Sequence, residues 1–308
     1  MRVAGVRELG GPVEVFELPD PRQPAPDEVV IAVRAAGIGN WDEIVRTGGW
    51  DVGSRAPMAL GVEAAGTVTA VGADVDGVRP GDEVLCHPLQ LRDQGAWAEY
   101  LIAPADTVAP KPASVPWDVA GAFPVPALTA EQVLSEAVQV RDGETVLVHG
   151  SGGVTGGLIV QLAAVRGARV IATAGPASAD RVRGLGARDV IDYNAPDLLD
   201  RIRTANEGRP IPVVINAVPG GSEVVYPLVA DGGRFATITS DPPAEERGIT
   251  VANVYVRPDG PQLRELVRLL GDGRLSLNVA GRYSLEEAAG ALARVAAGSV
   301  SGAIVVTP

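Results

Sequence analysis

Cysteine is nearly absent from this chain: Cys86 is the only one in 308 residues. That excludes an internal disulfide and fits a reducing compartment, so a cytoplasmic location is expected. Histidine is almost as scarce, with His87 and His149 alone. No uncharged apolar run is long enough to cross a bilayer, which argues against a membrane partner. The opening residues MRVAGVRELGG lack the apolar core of a signal peptide. Clusters of Lys and Arg are missing too, and the formal net charge is -12, which argues against nucleic acid. No low-complexity tract or internal repeat is visible. What remains is an ordinary globular composition, 46% hydrophobic and 21% charged, in a chain long enough for two domains.

The clearest pattern runs from Thr145 to Tyr193. Thr145 to His149 is a β-branched, apolar run of strand length. A glycine-rich turn follows, Leu158 to Val165 continues as a helix, Gly167 ends it, and Arg169 to Ala174 is a second apolar strand. Strand, turn, helix and strand in that order make one βαβ unit. The turn spaces Gly150, Gly153 and Gly156 as G-x-x-G-x-x-G, since Ser151 stands two residues before Gly153. Glycines there let the backbone approach a pyrophosphate, and the N–H groups opening the helix face its charge. Ser151, Gly152, Gly153, Val154 and Thr155 are the expected dinucleotide contacts. A glycine-rich loop without a ligand is the alternative.

The second strand bears on which dinucleotide. Enzymes that select NAD carry Asp or Glu about 20 residues past the glycines, for the ribose 2′-hydroxyl. Here that place reads Ala172-Thr173-Ala174-Gly175, with no acid. Ser178 and Arg181 follow at helical spacing, and Tyr193 ends the next strand. A hydroxyl, a guanidinium and a phenol suit a 2′-phosphate, so NADP is expected over NAD, with Ala174, Ser178, Arg181 and Tyr193 around it. A solvated Arg181 is the competing reading.

Elsewhere, residues 1–115 read as short β segments: Val13–Leu18, Glu28–Ala36, Ala64–Val71, Asp82–His87 and Ala96–Pro104. Residues 37–50 form a loop opening into a short helix, with Asp42 and Glu43 in its first turn. A mostly β, partly closed barrel is expected there. From about Pro116 helices appear, at Val119–Phe123 and Leu128–Val138. Beyond Tyr193 a helix at Leu198–Glu207 alternates with strands at Val213–Asn216, Arg234–Ser240 and Ile249–Val256. That alternation predicts an α/β class with a doubly wound parallel sheet. Amphipathic helices at Pro261–Leu270 and Leu285–Ala297 precede a β run, Gly302–Thr307, expected to return to the first domain.

Several stretches carry a family resemblance: RAAGIGNWDEIVRTGGW, LGVEAAGTVTAVG, RPGDEV, GAWAEY, LTAEQVL, GETVLVHGSGGVTGG, LGARDVIDY and GRYSLEEAAGALARVAAGSVSGAIVV. In that order they make the chain similar to the medium-chain dehydrogenase/reductase superfamily, most closely its zinc-free quinone oxidoreductase branch, which includes the ζ-crystallin-like proteins. The resemblance implies a GroES-like barrel from residues 1–123 and 257–308, with a Rossmann domain over 124–256. It also implies a homodimer joined near Ile249–Val256. Zinc-dependent relatives place Cys where this chain has Gly39-Asn40, and His where it has Val62; their structural zinc needs four Cys. Cys86 and His87 are adjacent on a strand and point oppositely, so no metal is expected.

Without a Lewis acid, alkoxide formation from an alcohol is lost, whereas hydride delivery to a quinone or an α,β-unsaturated carbonyl does not need one. By the resemblance, Asn40 is a candidate hydrogen-bond donor to the acceptor, one residue later than the usual pattern. Its alternative is a cap of the helix starting at Trp41. Thr129 would approach the nicotinamide, or cap the following helix. Trp41 and Trp50 are candidates for an aromatic wall, with core packing the alternative. Asn216, Ala217 and Val218 would meet the adenosine-side ribose region, and Thr239, Val254 and Val256 the nicotinamide end; Glu63 reads as structural. An enoyl-thioester reductase usually carries a tyrosine donor near this loop, and none stands between Met1 and Ala98. A redox-inactive NADPH-binding sensor is the non-enzymatic alternative.

Overall fold

In the computed structural model, which describes all 308 residues, the chain opens with strands β1 (Arg2–Val6), β2 (Glu14–Glu17) and β3 (Glu28–Ile38). Helix α1 (Asn40–Arg46) follows, then β4 (Met58–Ala59), β5 (Ala64–Val71), β6 (Glu83–Cys86), β7 (Tyr100–Pro104) and β8 (Val108–Pro110). Two helices come next, α2 (Trp117–Gly121) and α3 (Pro124–Gln132), and the latter widens to π geometry over Val133–Ala137. The alternating segment contains β9 (Thr145–His149), α4 (Val154–Val165), β10 (Arg169–Thr173), α5 (Pro176–Gly184), β11 (Asp189–Ile191) and α6 (Leu198–Ala205). It ends with β12 (Ile211–Asn216), α7 (Ser222–Val225), β13 (Val229–Thr237) and β14 (Thr250–Asn253). The chain then closes through α8 (Gly260–Gly271), β15 (Val279–Ser284), α9 (Ala288–Ala296) and β16 (Ala303–Thr307).

These elements divide into two units. One comprises Met1–Leu128 with Arg257–Pro308, and the other Thr129–Val256. The first crossover falls inside α3 rather than before Pro124. In the first unit β3 is the axis. It pairs along its length with β5 and on its other edge with β7 and then β16. Successive residues of β3 are buried on both faces of the sheet, with only Arg34 exposed, which is why the run EVVIAVRAAGI is almost wholly apolar. The expected return of the C-terminal strand is thus met by the Val305 to Gly37 pairing.

In the second unit six parallel strands lie in the order β11-β10-β9-β12-β13-β14. That is the doubly wound order, and its reversal between β9 and β12 opens a crevice at their C-terminal ends. Leu147, Ile171, Val214 and Phe235 pack one core, with the Phe235 ring edge-on to Tyr226 at 5.5 Å. Each such buried side chain contributes about 1.5–3 kcal/mol.

Some boundaries differ from those the sequence suggests, for local reasons. The strand expected at Arg234–Ser240 is β13, which starts at Val229 because Asp231-Gly232-Gly233, turn-like in sequence, is a bulge inside the strand. It stops at Thr237, where the chain turns and Ser240 takes a φ of 59°. Only Thr250–Asn253 of the run Ile249–Val256 is paired. Of Ala96–Pro104, the last five residues form the ladder, while Ala98 bridges Val3. The strands β1 and β15 have glycine-interrupted patterns that hide them in the sequence.

Candidate functional site

The turn after β9 is built by hydrogen bonds that leave its outer surface free. Thr173 at the end of β10 accepts from the Ser151 N–H through its carbonyl (3.0 Å) and from the Gly150 N–H through its hydroxyl (3.0 Å). The same hydroxyl meets His149 Nδ1 at 2.8 Å, so His149 is a hydrogen-bonded framework residue. Ser151 is fully buried, and its hydroxyl donates to the Val148 carbonyl. It supports the turn rather than facing outward.

The glycines divide by role. A Cβ at Gly156 would stand 2.3 Å from the Gly150 carbonyl oxygen, so the fold itself demands glycine there. At Gly153, exposed and with φ -78°, a Cβ would meet only that carbonyl oxygen, at 3.6 Å. Nothing in the protein requires glycine at 153. Its bareness leaves the approach open to a ligand, and Gly153 caps α4, whose first N–H groups, at Val154, Thr155 and Gly156, have no intrahelical partner. This is the observation that fits a dinucleotide pyrophosphate.

Beside the turn lie the residues expected around a 2′-phosphate. Arg181 Nη2 donates to the Gly152 carbonyl at 2.7 Å, which rules out a freely solvated side chain. The Ser178 hydroxyl lies 2.9 Å from the place a Gly152 Cβ would take, and the Tyr193 ring 3.1 Å from a Gly175 Cβ. So Gly152, Ala174, Gly175, Ser178, Arg181 and Tyr193 come together, and Tyr193 is half exposed.

At the ends of β12 and β13 lies a polar cluster that sequence reasoning finds only in part. The Asn216 amide is spent internally: Oδ1 accepts from the Val218 N–H (3.0 Å) and Nδ2 donates to the Val218 carbonyl (2.9 Å). Thr237 and Thr239 hydroxyls donate to Asp241 Oδ1 at 2.6 and 2.7 Å. Burial opposes ionisation of Asp241, but these bonds and those from Ser222 outweigh it and lower its pKa. The alternation Thr237-x-Thr239-x-Asp241 at a strand end is the available signal, although in sequence it resembles ordinary turn chemistry. The Val254 N–H donates to the Thr237 carbonyl at 2.9 Å, and Val256 follows, half-buried.

In the first unit, α1 begins one residue earlier than expected. Gly39 is its cap, its N–H donating to Asp42 Oδ2 at 2.8 Å while its carbonyl accepts from the Asp42 N–H. Asn40 is therefore the first helical residue, exposed, and not a cap. Thr129 likewise lies buried inside α3, five residues past its start, and is not an N-cap. A Cβ at Gly39 would lie 2.1 Å from the Trp41 ring, so the indole fills that place. Trp41 Nε1 is buried without a hydrogen-bond partner. Trp50 instead lines a cavity of about 710 Å³ with Leu9, Val45, Val52 and Met58, where Arg7 and Arg55 also contribute. The candidates Trp41 and Trp50 thus have different surroundings.

Nearby carboxyls are deeply buried. Asp42 is pushed up to about 8 by burial, against the pull of the Gly39 and Gly61 amides. Burial also raises Glu63 well above its usual range, with the Asp42 charge adding to it. His87 Nδ1 meets the Val62 carbonyl at 2.7 Å, and burial lowers its pKa to about 4. Burial pushes the Cys86 thiol up to about 12. No group of three or more His, Cys, Asp or Glu side chains is arranged to hold a metal ion.

Comparison with known proteins adds to this geometry. Residues 25–113 match the family described as alcohol dehydrogenase GroES-like domain, and residues 185–306 the one described as zinc-binding dehydrogenase. The donor set here does not fit the zinc that the second description implies. The quinone oxidoreductase of Pseudomonas aeruginosa is 30% identical over 320 residues, 97% of this chain and 97% of its own. An erythronolide synthase of Saccharopolyspora erythraea is 32% identical over 92% of this chain, which spans only 8% of that much longer protein. A mycobacterial protein solved in complex with NADPH superposes with a TM-score of 0.88 at 28% identity, covering 100% of both chains. No helix of this chain is long and apolar enough to cross a membrane.

Proposed function

Because this chain belongs to the medium-chain dehydrogenase/reductase superfamily and is an oxidoreductase of that type, we propose that it uses NADPH to reduce a quinone or an activated alkene without zinc. The observation that carries the reading is the seat around Gly153: an open glycine, a helix N-terminus, and Arg181 with Ser178 and Tyr193 where an acid would select NAD. When bound there, NADPH supplies a hydride.

The chain's own residues orient and exclude. Gly153, Val154 and Thr155 would hold the pyrophosphate, and Ser178, Arg181 and Tyr193 the 2′-phosphate. The first unit's cavity, which Trp50 lines, is the candidate place for a planar acceptor. Asn40, exposed at the start of α1, is the candidate hydrogen-bond donor to the acceptor oxygen, and Thr129 remains a candidate toward the nicotinamide. An already electrophilic acceptor needs positioning more than activation. Self-association through the exposed edge strand β14 belongs to the same reading, checked by light scattering.

NADPH oxidation in the presence of a panel of quinones and enones tests this. Turnover of at least one acceptor, with NADPH preferred over NADH, is the expected result. NADPH binding with no turnover of any acceptor would replace it with a sensor role. A second enzymatic reading is reduction of an enoyl thioester, which is itself an activated alkene. Against it, the first tyrosine of the chain is Tyr100. Crotonyl thioesters in the same panel separate the two.

A further inference from the structure

Asp241 ends the turn that follows β13, and its carboxylate folds back onto the strand ends. Oδ1 accepts from the Thr237 and Thr239 hydroxyls, and Oδ2 accepts from the Ser222 N–H at 3.2 Å. Both oxygens also lie 3.3 and 3.4 Å from Asn216 Nδ2. Thr237, Ser222 and Asn216 are buried while Asp241 is half-buried, so the carboxylate closes the outer side of a buried polar cluster, where losing a partner is costly. The backbone accommodates the reversal by placing Ser240 in the left-handed region, at φ 59°.

The carboxylate therefore fastens the loop after β12 to the loop after β13. Its reach extends one step further. Asn216 fixes Val218 through two hydrogen bonds, and a Cβ at Gly150 would lie 2.6 Å from the Val218 side chain. The Ala217 N–H meanwhile donates to the His149 carbonyl at 2.9 Å. Val218 thus braces the back of the glycine turn, and Asn216 and Asp241 stand behind Val218.

We infer that Asp241 is a positioning residue for the dinucleotide seat, acting through Asn216 and Val218 on the turn at Gly150–Gly153. It touches none of the turn itself. This rests on the nicotinamide-cofactor reading above. Because the brace supports the turn and not the 2′-phosphate corner, its loss weakens NADPH and NADH alike.

Titrating the full chain with NADPH and with NADH, read by cofactor fluorescence, gives the test. In Asp241→Ala both dissociation constants rise about tenfold, the loss expected for hydrogen bonds to a charged group, with their ratio unchanged. At saturating NADPH, kcat stays within about twofold, so the effect appears in KM for the cofactor. Asp241→Asn, which keeps an acceptor oxygen for the threonines but turns a donor toward the Ser222 N–H, restores part of the affinity. Thr237→Val removes one buried donor to Asp241 and gives about a threefold loss, which also keeps the idea testable if the alanine variant does not fold. Wild-type affinity in Asp241→Ala or Thr237→Val overturns the inference, as does a lowered melting temperature with unaltered dissociation constants. A wild-type protein that binds neither dinucleotide sinks the cofactor reading itself, and this inference with it.

Discussion

Glu63 accepts a 2.7 Å hydrogen bond from the Val125 backbone amide at the start of α3, and Gly37 leaves room for the carboxyl: a Cβ there would lie 2.1 Å from Glu63 Oε1. A buried acid thus links the loop before β5 to a helix. In Glu63→Gln the amide oxygen still accepts from Val125, and stability stays within about 1 kcal/mol. Glu63→Ala removes that acceptor and leaves a void, costing about 2–4 kcal/mol. Urea unfolding of the two variants checks the contrast; equal losses would deny the bond its role.

The pH dependence of stability follows from Asp42. Its ordinary value is 3.8, and in the folded chain it rises to about 8 because ionising it in the interior is costly. Between those values the unfolded chain has released the proton and the folded chain keeps it, so stability falls as pH rises through that window. Glu63, also raised, adds to the same slope. The urea midpoint is expected to be higher at pH 5 than at pH 8, and Asp42→Asn to flatten the difference. A midpoint that rises with pH over that range would contradict the assignment.

The two turn glycines separate fold from ligand. Gly153→Val leaves the melting temperature within a few degrees, since a side chain there meets little protein, but obstructs the pyrophosphate and weakens NADPH at least tenfold. Gly156→Ala forces a Cβ onto the Gly150 carbonyl and destabilises by about 1–3 kcal/mol. Calorimetry beside cofactor titration reads both. Tight NADPH binding by the Gly153 variant would remove the seat from the turn.

Cofactor choice is tested at Arg181. With Nη2 held by the Gly152 carbonyl, its remaining donors suit a phosphate. Arg181→Ala is expected to lower kcat/KM for NADPH by about 10- to 100-fold, the range for charge-assisted bonds, while NADH changes little. An unaltered preference would return Arg181 to a purely structural role.

Chelators provide the last check. With glycine and valine where zinc relatives carry ligands, prolonged EDTA treatment leaves turnover unchanged, and added zinc does not raise it. Loss of activity on chelation, restored by zinc, would refute the metal-free mechanism.

The fold is legible in the sequence where periodicity is strong: β5, β9 and α8 begin and end within a residue of their expected places. The start of β13 is not, because Gly232-Gly233 looks the same in a turn and in a bulge. At the site, the glycine turn and the corner of Ser178 and Arg181 are readable because local spacing sets them. Asp241 is hidden, since its partners Asn216 and Ser222 lie on another loop and only tertiary structure brings them within reach. The same holds for Trp41, whose position over Gly39 depends on how α1 starts.

That indole has a consequence for engineering. Grafting a thiol onto position 39 and an imidazole onto position 62 would not rebuild a metalloenzyme, because the new sulfur must first evict an aromatic ring. Seating a ligand at position 39 therefore requires Trp41 to move and the start of α1 to be repacked around it.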